Sequence, residues 1–180
     1  DAELHSIASG LGSDVPFFLR GGTAMGGGRG DIITELPPLT QQWLVLTYPT
    51  TPSFLDGDGP YGHALSKTAH LYSMLSPMDY TDGSHTRDAV DVIGKDKFSQ
   101  GICFNAFDRV ALSAFPGLDQ ARQELLLAGA PIVNLSGSGP AIYTIVPSKQ
   151  EGEKMLKPLK KAGLNGYCVS TVPVSPDLAH

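Results

Sequence analysis

Two glycine-rich segments are the parts of this sequence whose residue types and spacing could bind an anion. The first covers residues 21–30, and the second is Ser136-Gly137-Ser138-Gly139. Successive backbone N–H groups in such turns can form a concave anion site, and serine adds hydroxyl donors. Glycine also serves in ordinary tight turns, where it supplies a positive φ. Spacing alone favours the ordinary turn at both places.

Asp14 is the carboxylate best placed to do chemistry. It lies between a glycine turn and the apolar run Val15-Pro16-Phe17-Phe18. A carboxylate in that setting is either a turn residue that bonds to nearby backbone or a residue of a functional site. Without further information, the structural role is the simpler interpretation.

Other well-known chemical motifs are absent from the sequence. It has no G-x-x-x-x-G-K-[ST] phosphate loop, no dinucleotide fingerprint after a strand, no H-E-x-x-H and no G-x-S-x-G. The five histidines lack metal-ligand spacing, and Asp56-Gly57-Asp58-Gly59 lacks the rest of a calcium-loop ligand series. We therefore predict no metal site within the chain.

Composition limits the classes of partner. The chain has 180 residues, 41% of them hydrophobic, and a net charge of −5. A mildly acidic chain without basic clusters predicts a small-molecule ligand rather than nucleic acid or a membrane surface. Two distant cysteines predict a cytoplasmic protein. Helical spacing begins at once, at Leu4 and Ile7, so we expect the chain to be a fragment.

The helices and strands that must position these residues can be predicted from the spacing of apolar residues and from residues that end such elements, such as Pro37-Pro38. The second half predicts an α+β arrangement in which helices pack on an antiparallel sheet. The predicted helices cover residues 2–11, 64–75, 86–98, 104–114, 118–127 and 149–162. The predicted strands cover residues 15–19, 31–36, 42–48, 132–135, 141–146 and 167–172.

Six segments of the sequence carry motifs that occur together in one family. They are Leu11-Gly12-Ser13-Asp14-Val15-Pro16-Phe17-Phe18-Leu19, Gly21-Gly22-Thr23-Ala24, Gly28-Arg29-Gly30-Asp31, Lys67-Thr68-Ala69-His70-Leu71-Tyr72, Phe104-Asn105-Ala106-Phe107 and Leu135-Ser136-Gly137-Ser138-Gly139-Pro140. Together they resemble the diphosphocytidyl-methylerythritol kinases, a family within the GHMP kinases. Asp31 stands where the family has Glu, Lys67 stands where it has Ser, and residues 50–65 are longer than its pattern.

The resemblance implies the GHMP kinase fold, an α+β fold. Residues 1–39 would be the end of its N-terminal domain, and residues 40–180 its C-terminal domain. The family's phosphate loop and its catalytic lysine have no counterpart in these residues. ATP and Mg²⁺ are therefore expected for the longer enzyme. We expect no ATP-binding residues in this chain, and the chain alone should be inactive. It should also self-associate through surface that the missing part would cover.

The resemblance further implies roles for individual residues in phosphorylating diphosphocytidyl-methylerythritol, a step in isoprenoid precursor biosynthesis. Asp14 would be catalytic and would accept or orient the proton of the acceptor hydroxyl. Ser136, Gly137, Ser138 and Gly139 would bind the substrate's diphosphate. Gly21 and Gly22 would allow close backbone approach. Tyr72 would stack on the cytosine, unless it is a core residue of its helix.

Two alternatives remain at this point. The chain could belong to another GHMP kinase that acts on a small alcohol, of the homoserine or mevalonate type. The Asp-Val-Pro-Phe-Phe block at residues 14–18 argues against this. The chain could also be a ligand-binding module without catalytic activity, derived from half of a kinase.

Overall fold

A computed structural model describes residues 2–49 and 67–172. The predictions for residues 50–65, the Asp56-Gly57-Asp58-Gly59 segment and the chain's tail lie outside these residues. The described helices are α1 (Ala2–Leu11), α2 (Val15–Phe18), α3 (Lys67–Met74), α4 (Ser84–Gly94), α5 (Asp108–Ala114), α6 (Leu118–Leu127) and α7 (Lys149–Lys161). The described strands are β1 (Ala24–Gly27), β2 (Ile32–Glu35), β3 (Trp43–Tyr48), β4 (Asn134–Leu135), β5 (Ile142–Val146) and β6 (Asn165–Ser170).

The described residues form two compact units. One contains residues 2–41, 86–98 and 171–172, and the other contains the described parts of residues 42–85 and 99–170. The predicted division into kinase domains at residues 39 and 40 stays a prediction. Within the described ranges, no helix has the length and apolar character to cross a membrane.

The first unit is built on α1, α2 and a hairpin. Strands β1 and β2 pair antiparallel, with Ala24 opposite Glu35 and Gly27 opposite Ile32. Gly30 N–H donates to the Gly27 carbonyl across the hairpin turn at 2.9 Å. Gly28 and Gly30 have φ values of 64° and 98°, which suit glycine far better than other residues. The pairing at residues 24–27 was not predicted, because those residues read only as part of a glycine-rich turn.

The prediction of a strand over residues 15–19 is wrong. Residues Val15–Phe18 form the short helix α2, and Pro16 lies in its first turn. Proline is tolerated there because the first N–H groups of a helix have no intrahelical partner, and its fixed φ suits the helix. The apolar run is therefore helical rather than extended.

The second unit consists of a four-stranded antiparallel sheet and the helices that cover one of its faces. The strand order is β4-β5-β3-β6. Alternate residues of β5, which are Ile142, Thr144 and Val146, are buried, as the period of a strand requires. Ile142 and Val146 share a hydrophobic core with residues of α6 and α7, including Leu125 and Leu159. This confirms the α+β prediction.

Helix α5 begins later than predicted. The Asn105 side-chain oxygen accepts a hydrogen bond from Phe107 N–H at 2.9 Å, which makes a local turn before the helix. The helix then begins at Asp108. This turn leaves Asn105 outside the helix, where its side-chain amide can reach another segment.

Candidate functional site

The segment of Ser136, Gly137, Ser138 and Gly139, here called the 136–139 turn, connects β4 to β5. Ser136 N–H donates to the Ala141 carbonyl and Gly139 N–H donates to the Ser136 carbonyl, each at 2.8 Å. Gly137 and Gly139 have φ values of 55° and 65°. The segment is thus a tight turn of the kind that glycine permits.

Side chains from other segments bind the carbonyl groups of this region. Asn105 Nδ2 donates to the Leu135 carbonyl at 3.2 Å and to the Gly137 carbonyl at 2.8 Å. Lys67 Nζ donates to the Gly139 carbonyl. Three backbone oxygens in and next to the turn are therefore engaged by protein donors, which fixes the orientation of its peptide groups.

The amides in the middle of the turn are not used in this way. Hydrogen bonds among the described residues use the N–H groups of Ser136 and Gly139, but not those of Gly137 and Ser138. The Ser138 hydroxyl lies 3.1 Å from Thr68 Oγ1. Two adjacent N–H groups and a hydroxyl at a glycine turn are suited to an anion with several oxygens, such as a phosphate group.

A cleft of about 310 Å³ lies beside the turn. Phe104 is half exposed there, and its ring stacks on His85 with centroids 4.1 Å apart and an interplanar angle of 7°. Burial, together with a hydrogen bond involving Cys103, raises the pKa of Tyr143. The lining residues are Cys103, Phe104, Asn105, Asn134, Leu135, Ser136, Gly137 and Tyr143.

Tyr72 lies on α3 of the same unit, and its side chain is 56% exposed. Its ring contacts Phe107 edge to face, with centroids 5.0 Å apart. Phe107 in turn donates its N–H to Asn105, so this aromatic pair is linked to the residue that binds the turn. Tyr72 does not line the 310 Å³ cleft.

Asp14 is in the first unit, where it is the residue immediately before α2, and it is exposed. Its carboxylate does not cap α2, and it accepts a hydrogen bond from Ser13 Oγ at 3.4 Å. Asp14 contributes to an apolar cleft of about 360 Å³, which it lines with Phe17, Phe18, Ala24, Gly26, Gly30 and Ile33. This places the Asp14 carboxylate at an apolar cleft, and its catalytic role stays a prediction.

Gly21 and Gly22 form the turn between α2 and β1, with φ values of 69° and 71°. Apart from Gly21 and its two chain neighbours, no described residue has an atom within 4 Å of the position that a Cβ at Gly21 would take. The backbone conformation therefore favours glycine at residue 21, whereas crowding by the described residues does not.

At the hairpin of the same unit, Arg29 donates to Asp31 from its backbone N–H at 3.1 Å and from its guanidinium at 3.0 Å. These bonds lower the pKa of Asp31. Among the residues that the structure describes, no group of three His, Cys, Asp or Glu side chains could hold a metal ion.

Sequence reasoning named the 136–139 turn but gave no role to Lys67 or Asn105. Both stood in the motifs that carried the family resemblance, so the signal was present. Lys67 is partly buried, and desolvation lowers its pKa. Their contact with the turn spans 72 and 32 positions of the chain, and a local pattern cannot show such pairing.

Comparison with known proteins gives consistent similarities. The family model described as GHMP kinases C terminal matches residues 90–165. The chain is 41% identical over 169 residues to a protein of Dehalococcoides mccartyi named 4-diphosphocytidyl-2-C-methyl-D-erythritol kinase. That match covers 94% of this chain and 56% of the relative. The chain spans about half the length of the curated relatives it matches.

Solved structures show the same fold. A crystal structure of 4-(cytidine 5'-diphospho)-2C-methyl-D-erythritol kinase matches 93% of this chain and 56% of that protein, with a TM-score of 0.69 and 22% identity. A homoserine kinase from Cytophaga hutchinsonii matches 88% of this chain and 50% of that one, with a TM-score of 0.57 and 16% identity.

Proposed function

This chain belongs to the GHMP kinase family, and from that premise we propose that it supplies acceptor-side residues of a phosphotransferase. The reaction is transfer of the ATP γ-phosphate to the 2-hydroxyl of 4-diphosphocytidyl-2-C-methyl-D-erythritol, a step in isoprenoid precursor biosynthesis. The observation that carries the proposal is the 136–139 turn, with its carbonyls bound by side chains and two adjacent amides available. The names of the relatives support the choice of substrate.

The substrate's diphosphate binds at the 136–139 turn in this proposal. The amides of Gly137 and Ser138 and the Ser138 hydroxyl donate to its oxygens. Because Asn105 and Lys67 already hold the neighbouring carbonyls, the donors need little rearrangement when the ligand arrives. Preorganised donors of this kind retain more of their binding energy than mobile ones.

Asp14 acts on the acceptor hydroxyl. Its carboxylate is exposed at an apolar cleft and is not consumed by capping α2. Phosphoryl transfer depends mainly on positioning and charge neutralisation. Asp14 therefore orients the hydroxyl and accepts its proton as the hydroxyl oxygen bonds to the γ-phosphorus, while the bond from that phosphorus to the departing ADP breaks. Gly21 and Gly22 form the turn that follows α2. In this proposal, they allow the substrate to come close to the backbone there.

The cytosine stacks on an exposed aromatic ring of the second unit. Tyr72 is the residue that the sequence indicated, and its exposure leaves its ring accessible. Phe104 is a second candidate, because it lines the cleft beside the turn. Replacing each by leucine separates the two, since loss of a stacking ring should weaken binding of cytidine diphosphate by about fivefold or more.

ATP, with Mg²⁺, is the phosphate donor in this proposal. Mg²⁺ would neutralise charge on the phosphate groups. Among the described residues, no three His, Cys, Asp or Glu side chains form a group that could hold a metal ion, so Mg²⁺ would be held mainly by the phosphates and by ligands outside these residues. We also propose a cytoplasmic location, which the free thiols of Cys103 and Cys168 support.

A chimera tests the proposed activity. This chain replaces the matched 169 residues of the Dehalococcoides mccartyi relative, and ATP-dependent phosphorylation of 4-diphosphocytidyl-2-C-methyl-D-erythritol is measured. Turnover of this substrate, with homoserine and mevalonate left unmodified, supports the proposal. Turnover of either of those alcohols instead would favour another GHMP kinase. A folded chimera that binds cytidine diphosphate without turnover would favour a module that only binds its ligand.

The catalytic role is tested in the same chimera. Asp14→Asn keeps the size of the side chain and removes the base, so kcat should fall about 100-fold or more. Glu3→Gln changes another exposed carboxylate of the first unit and should leave kcat unchanged. Near-normal turnover by Asp14→Asn would reject the assignment. The chain by itself should show no ATP-dependent turnover, and measurable activity would reject that expectation.

A further inference from the structure

Lys67 brings a positive charge to the 136–139 turn. It is the first described residue of α3, and its Nζ donates to the Gly139 carbonyl. Thr68, the next residue, places its hydroxyl 3.1 Å from the Ser138 hydroxyl. Two consecutive residues of α3 thus contact two consecutive residues of the turn, next to the amides of Gly137 and Ser138.

The hydrogen bond from Lys67 to the Gly139 carbonyl does not use all the donors of the lysine ammonium group. An ammonium has three N–H donors, and the Gly139 carbonyl accepts from one of them. The side chain is partly buried, and the resulting desolvation lowers its pKa. A partly buried charge is costly unless it is paired. Lys67 is in none of the ion pairs among the described residues, and an anion bound at the turn would supply a countercharge.

The residue type points the same way. A hydrogen bond to a carbonyl requires a donor but no charge, so the positive charge of Lys67 is not needed for its bond to Gly139. A compact ammonium on a flexible stem suits contact with phosphate oxygens, whose positions vary as the ligand settles.

We infer that Lys67 is a phosphate-binding residue that completes the 136–139 turn as a site for a nucleoside diphosphate. This rests on the proposed function and names a residue that the turn itself does not contain. Lys67 donates to the Gly139 carbonyl and to a phosphate oxygen together. Its charge adds to the two amides and the Ser138 hydroxyl.

Calorimetric titration of this chain with cytidine diphosphate and with cytidine tests the inference. Lys67→Met removes the charge and keeps much of the stem. We expect affinity for cytidine diphosphate to fall about tenfold or more, as for loss of a hydrogen bond to a charged group, with affinity for cytidine within twofold. Lys67→Arg should retain most of the affinity. Lys157→Met, on the exposed side of α7, is the matched control and should change neither.

Salt provides a second readout. Potassium chloride should weaken binding of cytidine diphosphate to the unmodified chain, and the dependence should be smaller for Lys67→Met. Unchanged binding of cytidine diphosphate by Lys67→Met would reject the inference and leave the proposed function standing. Equal loss of cytidine and cytidine diphosphate would show a structural role only and would also reject it. If the unmodified chain bound neither ligand, the proposed function and this inference would both fail.

Discussion

Gly137 and Gly139 share a positive φ, but the space around them differs. Beyond its chain neighbours, no residue in the described ranges has an atom within 4 Å of a Cβ added at Gly137. A Cβ at Gly139 would lie 2.8 Å from Leu135 Cδ1 and 3.1 Å from Phe115 Cε2, and both of those side chains are buried. The first glycine is therefore required by conformation, and the second by conformation and packing.

Alanine substitution should separate the two effects. Gly137→Ala should lower the free energy of unfolding by about 1 kcal/mol, the cost of a left-handed conformation. Gly139→Ala adds overpacking against Leu135 and Phe115, so we expect a loss of about 2–4 kcal/mol. Urea denaturation followed by circular dichroism measures both. Equal losses in the two variants would contradict the packing explanation.

The sequence indicated some residues of the candidate site and missed others for a physical reason. Glycines in a turn and a carboxylate beside an apolar run are local signals, so the 136–139 turn and Asp14 could be named. Asn105 and Lys67 act on the turn through long-range contacts that a local pattern does not contain. The roles assigned to Asp14, Tyr72, Gly21, Gly22 and the four residues of the 136–139 turn stay predictions.

At the scale of elements, Gly152 sets how closely α7 approaches the sheet. A Cβ at this position would lie 2.5 Å from Cys168 Sγ on β6 and 3.3 Å from the side chains of Val45 and Val146. Glycine normally weakens a helix interior, because its backbone is flexible in the unfolded chain. Its presence in α7 is explained by this close packing.

Gly152→Ala should therefore destabilise the protein by about 1–3 kcal/mol, although alanine is the better helix former. Gly10→Ala is the control, because Gly10 in α1 is exposed and a Cβ added there would have no described residue within 4 Å beyond its chain neighbours and the adjacent backbone of its own helix. That change should be neutral or stabilising by up to about 1 kcal/mol. In Gly152→Ala, adding Cys168→Ala should recover part of the loss. No recovery in urea denaturation would rule out the Cys168 contact as the cause.

An ion pair joins the 3₁₀ turn Pro77–Asp79 to α5. Arg109 donates to both carboxylate oxygens of Asp79, from Nε at 2.7 Å and from Nη2. Ser76 donates its N–H and its hydroxyl to Asp79 Oδ2, each at 2.7 Å. The bond from Arg109, and then those from Ser76, hold the pKa of Asp79 well below its ordinary value of 3.8.

The stabilisation from this carboxylate should be complete above pH 3.8 and should be lost as the pH falls toward the lower pKa of the folded state. The Asp79→Asn variant should therefore melt at a lower temperature than the unmodified protein at neutral pH. This difference in melting temperature should become smaller only below about pH 4. Asp91→Asn removes an exposed partner of Lys95 and should have a smaller effect. A difference in melting temperature that stays constant from pH 7 to pH 3 would contradict the prediction.

Elements with clear periodicity were predicted well, and short ones were not. The apolar strand at residues 42–48 and the helix at residues 118–127 correspond to β3 and α6. Helix α2 was predicted as a strand, because four residues are too few to show a period and Pro16 fits both readings. Strand β1 was hidden by its glycines, which signal turns more strongly than pairing.

At the scale of the whole molecule, α1 presents an apolar stripe. Leu4, Ile7 and Leu11 are 54%, 55% and 76% exposed, and their spacing places them along one side of the helix. We predict that two copies of this chain associate through this stripe, since apolar side chains gain free energy when they leave water.

Light scattering coupled to size-exclusion chromatography measures the association. The mean mass should rise with concentration, and Ile7→Glu should shift the rise to about tenfold higher concentration or abolish it. Glu3→Gln, on the same helix, should have no such effect. A monomer at every concentration tested would show that the stripe does not mediate self-association.

The fold class could be predicted from the sequence, but the order of strands could not. Alternating helices and strands in the second half indicated helices on an antiparallel sheet, which the structure confirms. The order β4-β5-β3-β6 places β3 between two strands that follow it much later. Nothing local to residues 43–48 specifies these partners, since pairing depends on faces that match only when the sheet assembles.

The central place of β3 has a consequence for synthesis on the ribosome. Its partners β5 and β6 emerge about a hundred residues later, so β3 leaves the exit tunnel with both backbone edges unsatisfied. The second unit can complete its sheet only after β6 has also emerged, and contacts of such long range slow folding. During that interval Trp43, Leu44 and Val45 form an apolar nascent strand of the kind that chaperones shield.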